Sequence, residues 1–262
     1  MSSDLALQFG ILMPAFVAGM VVLASHIPLG RSVLAKGIIF FDLAVAQLAE
    51  FGFVLFSLLF PENDFPLASH VFATAVATLG ALMLFAFRRI NVELQEALIG
   101  IVFMLASTGV VLLLSQDPHG GEKIKSMMSW QILWIHWQDL LLPALVTLAL
   151  PLLWRLLRKI HDELAFYPVF AIAITMSTQM IGIYLVFASL ILPVLASRGD
   201  THPNRRAFAL GTAGYLIGLV CSSLYDLPSG AAISWSLALC ALCYGLGRSL
   251  YRRYAEQPVM SK

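Results

Sequence analysis

Runs of about twenty apolar residues recur along the whole chain, each long enough for a helix to cross the hydrocarbon core of a bilayer. With no water to satisfy the backbone there, helices are the economical way to cross. Of the 262 residues, 60% are hydrophobic and only 12% charged, far too apolar for a soluble domain of this length. The expected fold is all-α: one transmembrane domain over residues 1–262, a polytopic helical bundle of about 8–9 spans. The first run begins near Gln8, with no basic residue before it and no small-residue cleavage site, and is read as a first span rather than a removed signal peptide. Cys221, Cys240 and Cys243 all fall in apolar runs, without zinc-site spacing or a disulfide framework. A formal net charge of +1 gives no basis for a nucleic-acid partner; along the spans the partner is membrane lipid.

The spans are read over about 8–29, 38–60, 68–87, 97–115 and 140–157, then near 207–224 and 231–247. The loops after the first, third and fifth carry Arg31 and Lys36, Arg88 and Arg89, and Arg158 and Lys159. The loop 61–67 is acidic. The positive-inside rule puts the basic loops in the cytoplasm and the amino terminus outside. Residues 168–197 are uncharged, interrupted by Gly182 and Pro193, and followed by the basic loop SRGDTHPNRR; the carboxyl tail is basic too. If both basic segments are cytoplasmic, 168–197 must cross and return, yet it is too short for two full spans. Two short broken helices meeting near Gly182 satisfy the parity; one long tilted helix, with the tail outside, is the alternative.

Polar residues at membrane depth mark function or a buried partner. Lys36–Gly52, KGIIFFDLAVAQLAEFG, holds Asp42, Gln47 and Glu50. Asp42 and Glu50 are about 80° apart around an ideal helix and share a face, whereas Gln47 is less well aligned. These groups either satisfy neighbouring helices or line a path for a cation. The loop DPHGGEKIK offers Asp117, His119 and Glu122, donors that suit Zn²⁺ or Mn²⁺; a solvated turn is the competing reading. Trp130, Trp134, His136 and Trp137 read as an interfacial belt, and His26 and His70 as satisfied histidines near span ends. HDELAFYPVFA is short and amphipathic, with Asp162 and Glu163 beside Phe166, Tyr167 and Phe170: a surface connector, or a docking helix with an aromatic anchor. No GxxxxGK[ST] loop exists in the chain, so any ATP hydrolysis belongs to a separate subunit.

Four segments, in order, resemble one family. They are Lys36-Gly-Ile-Ile-Phe-Phe-Asp42, Glu96-Ala-Leu-Ile-Gly100-Ile, Ala188-Ser-Leu-Ile-Leu-Pro193-Val-Leu-Ala-Ser, and Tyr225-Asp-Leu-Pro-Ser-Gly230. The chain is similar over nearly its whole length to the membrane permease subunits of ATP-binding-cassette importers for zinc and manganese. The resemblance implies a homodimer in the inner membrane, a periplasmic metal-binding protein delivering the ion, and a cytoplasmic ATPase docking between the fifth and sixth spans. No cofactor is bound permanently; the divalent metal is cargo, and the chain itself is not an enzyme. Asp42, Gln47, Glu50, His119 and Glu122 are the expected metal-handling residues. Asp162, Glu163, Phe166, Tyr167 and Phe170 are expected at the ATPase. One departure stands out: the family has histidine four residues after this aspartate, where the chain has Ala46. Gln47 fills that position only if the helix carries a one-residue bulge. Two rivals remain, a secondary cation transporter or channel using Asp42 and Glu50 as a relay, and a non-transporting membrane scaffold.

Overall fold

The computed structural model describes residues 2–61, 66–115, 117–122 and 132–255. Helix α1 spans Ser2–Lys36, α2 Phe41–Leu59, α3 Pro66–Ala86, α4 Val92–Leu114, and, after a 3-10 turn at Ile132–Trp134, α5 Leu141–Arg158. Then come α6 Phe166–Ile181, α7 Ile183–Ala196, α8 Pro203–Tyr225 and α9 Ser229–Ala255. Among the described residues there is no strand, and seven helices are long and apolar enough to cross a membrane, or eight spans with the bent pair α6–α7 counted as one.

Local chemistry explains the boundaries. Asn91 caps α4, its side chain accepting from the Leu94 N–H at 3.0 Å. Pro203 opens α8, where a missing N–H costs nothing. Pro168 sits in the first turn of α6, where it breaks no intrahelical bond. Arg155 and Arg158 close α5 at the negative end of its dipole. Several sequence boundaries move, and two of the shifts relocate polar residues. Helix α1 continues to Lys36, which puts Arg31 and Lys36 on the helix and His26 well inside it. Helix α4 starts at Val92, which brings Glu93 and Glu96 into its first turns. Acidic loop residues 62–65 and Trp130 lie outside the described residues.

The break at Gly182 is real. The glycine stands at φ 79°, ψ 159°, a conformation that a Cβ all but forbids, and the chain bends by 120° there. Contacts show where the two arms end. The Lys36 amine stands 5.4 Å from the Phe166 ring centre, so the end of α1 meets the start of α6. Arg31 donates to Ser197 Oγ at 3.4 Å, so the end of α7 meets α1 as well. Both arms therefore begin and finish at the same end of the bundle. Arg88 pairs with Glu163 at 2.8 Å there, and Arg248 with Asp200 at 2.9 Å, which brings in the ends of α3, α5 and α9. This basic end gathers the loops that the charge pattern grouped together.

Small residues let the spans approach closely, as lipid-embedded helices require. A Cβ at Gly52 would lie 2.8 Å from the Ala73 Cα, joining α2 to α3. At Gly218 it would strike the backbone of Ile233, joining α8 to α9. The core runs through α1, α2, α3, α6 and α7, and α6 and α7 are buried along most of their lengths. By contrast, α5 turns Leu141, Leu145, Leu148, Leu152 and Leu156 outward.

Candidate functional site

Asp42 is the second residue of α2 and only 1% exposed. Neither of its carboxylate oxygens has a hydrogen-bond partner. Its place in the first turn puts it at the positive end of the helix dipole, which favours a carboxylate without neutralising it. Eight residues on, Glu50 is 4% exposed and leaves its Oε1 unpartnered. Gln47 is buried between them in sequence, at 6%. Helix α2 is unbroken α-helix from Phe41 to Leu59, so the bulge that would carry Gln47 into the histidine position is not present. Gln47 stays about 140° round the helix from Asp42. Ala46 occupies the position four residues after Asp42 and is itself buried.

Unpartnered buried polar atoms are rare in native structures and each calls for a cause. Here several fall on three helices packed together. Helix α2 contributes Asp42 and Glu50, α3 contributes His70 Nδ1, and α6 contributes Thr175 Oγ1 and Gln179 Nε2. Thr175 and Gln179 are four apart and share a face of α6. The sequence reading overlooked both and took His70 as satisfied. Polar residues at helical spacing inside the uncharged stretch 168–197 were the available signal. His26 is only half satisfied: Nδ1 meets Ser25 Oγ at 3.0 Å, while Nε2 has no partner.

The outer-loop residues behave differently. His119 Nδ1 and Glu122 Oε2 stand 3.7 Å apart, one helical turn on, with side chains 76% and 87% exposed. The Asp117 carboxylate accepts the His119 backbone N–H at 2.9 Å and so shapes the turn. Among the described residues, no three histidine, cysteine or acidic side chains come together around one point. Trp134 and Trp137 are exposed, as a membrane-interface belt requires; Trp130 is outside the described residues.

The five docking candidates fall into two groups, buried rings and exposed charges. Residues 162–165 form a turn, and helix begins only at Phe166. Phe166, Tyr167 and Phe170 are 2%, 3% and 0% exposed. All three pack on Phe41, at centroid distances of 6.1, 5.4 and 5.0 Å. They tie the start of α6 to the start of α2. What remains at the surface is charged: Glu163 paired with Arg88, and Asp162 bonded to Arg158. The Arg88 guanidinium, through its hydrogen bond and its charge, holds the Glu163 carboxyl below the usual glutamate range. A cavity of about 380 Å³ opens beside them, lined by Lys36, Arg88, Arg89, Gln95, Glu163 and Tyr167 among others.

A bundle of long apolar helices around a re-entrant broken pair, with unpartnered carboxylates inside, defines a polytopic helical membrane protein with a polar interior. Residues 160–246, which include the broken pair and the Tyr225–Gly230 turn, match the ABC 3 transport family. The fold is similar to that of a chain in the structure of PsaBC from Streptococcus pneumoniae in complex with Fab. The TM-score is 0.70 at 17% identity, over 93% of this chain and 95% of that one. No curated protein sequence matches the chain.

Proposed function

We propose that the chain is the membrane-spanning permease subunit of an ATP-binding-cassette importer for a divalent transition metal, zinc or manganese, in the bacterial inner membrane. The observation that carries this reading is the Asp42 carboxylate, buried with both oxygens free of partners inside a fold of this kind. A buried carboxylate with no side-chain partner is suited to a mobile cation, and weak ligation lets the ion leave again. Glu50 and Gln47 extend the polar positions outward along α2, and His119 with Glu122 offers a first contact on the outer loop. The match of residues 160–246 to a transport family supports the class.

The working unit in this reading is two copies of the chain, a periplasmic metal-binding protein and a cytoplasmic ATPase pair, with no metal held permanently. The positive-inside rule makes the basic end cytoplasmic. With the aromatic rings buried, the charged rim of Asp162, Glu163 and Arg88, and the cavity beside it, are the surface left for the ATPase to engage. The chain positions and passes an ion; it makes and breaks no bonds.

The test is ATP-dependent metal accumulation in proteoliposomes holding the permease and its ATPase. Asp42→Asn should insert normally and accumulate little metal. Uptake equal to wild type would remove Asp42 from the path, and uptake without ATPase would favour a secondary transporter.

A further inference from the structure

The end of the bundle away from the basic loops holds a cavity of about 320 Å³ between α3, α5, α6 and the segment before α5. Its lining includes His70, Asp139, Met176, Gln179 and Met180. His70 is the fifth residue of α3, and Met176, Gln179 and Met180 lie on one face of the last turns of α6, beside the break at Gly182. Asp139 lies two residues before α5, where its Oδ2 accepts the His136 N–H at 2.9 Å. Two of the polar groups are unsatisfied: His70 Nδ1 and Gln179 Nε2 are buried without partners. An amide rotated by 180° would present its oxygen instead, and the two orientations are alike in shape. The Phe53 ring stands edge-on to His70 at 5.4 Å and holds the imidazole in place; Phe53 follows Glu50 by three residues on α2.

From this cavity we infer a second metal site, at the outer mouth, that takes a borderline transition-metal cation through the His70 imidazole, the Met176 and Met180 thioethers, the Asp139 carboxylate and the Gln179 amide oxygen. Thioethers and an amide extend the donor types beyond histidine, cysteine and acids, of which no three meet around one point among the described residues. The donor set favours Zn²⁺ over Mn²⁺, because manganese prefers oxygen and gains little from thioether sulfur. Weak donors in a cavity open to the outer side suit capture and release. The role of entry site rests on the transport reading above; the donor set itself does not.

The experiment uses the purified full-length permease in nanodiscs with Zn²⁺ and Mn²⁺ as probes. Zinc X-ray absorption should report sulfur in the first shell, and competition with a chromophoric chelator should give tighter binding for Zn²⁺ than for Mn²⁺. Met176→Leu with Met180→Leu keeps the volume, so the fold should survive while the sulfur signal disappears. His70→Ala should weaken zinc binding by about tenfold or more, the scale on which metal sites lose affinity when their ligand shells are disturbed. Asp42→Asn should leave the sulfur signal unchanged. A wild-type zinc spectrum without sulfur, or zinc affinity unaltered in both His70→Ala and the double methionine variant, overturns the site. Normal uptake by Asp42→Asn, with the sulfur signal intact, would overturn the transport path and leave the outer site standing.

Discussion

Arg31 and Ser197 meet side chain to side chain at 3.4 Å, which joins the last turns of α1 to the end of α7. The contact closes a circuit. Helix α6 leaves the basic end beside Lys36, the chain reverses at Gly182, and α7 returns to the same end beside Arg31. The loop 198–202 and the basic stretch of α9 then fall on that side too, with Arg248 donating to the carbonyls of Arg198 and Gly199 at 2.7 Å each.

The reversal makes Gly182 sensitive. Gly182→Ala should destabilise the protein by about 1–3 kcal/mol, the range for a residue forced into a backbone region reserved for glycine. A thermal melt of the detergent-solubilised protein checks this, and an unchanged Tm would mean that the backbone relaxes at the break.

Asp42 should separate stability from transport. Its carboxylate is buried without partners, so Asp42→Asn removes a desolvation cost and keeps the volume. The expected outcome is a Tm equal to or above that of wild type together with lost uptake. A fall in Tm would reveal a structural partner for the charge.

Phe170→Ala should act on the fold rather than on the ATPase. The ring is fully buried against Phe41 and Phe166, and truncating a core phenylalanine costs about 3–5 kcal/mol. Reduced yield and a lower Tm of the isolated permease are expected. Loss of the ATPase from a permease with wild-type Tm would return this ring to the interface.

The Arg88–Glu163 pair predicts a small pH effect. Arg88 depresses the folded-state value of Glu163, so the pair's stabilisation is fully present above the unfolded glutamate value and fades as pH falls through the folded one. Both groups are solvent-accessible, which keeps the effect modest and sensitive to salt. The Tm difference between wild type and Glu163→Gln, followed downward from neutral pH, should shrink toward zero. A difference independent of pH would assign the loss to packing.

Much of the architecture was legible because a bilayer imposes a one-dimensional code. Apolar run lengths marked the spans, the arginines and lysines marked the basic end, and the parity of basic loops favoured a return within 168–197 near Gly182 over one long tilted helix. Asp42 and Glu50 stood out because acids are rare at that depth. The burial of Phe166, Tyr167 and Phe170 was not legible, because an amphipathic stretch looks the same whether it is a surface helix or the first turn of a buried one, and only the approach of Phe41 decides between them. Likewise the cavity of His70, Asp139, Met176, Gln179 and Met180 unites residues from α3, the turn before α5 and the end of α6. Their separation in sequence carries no periodic signal, so the packing of three helices, which depends on side-chain fit between distant segments, is what brings these donors to one place.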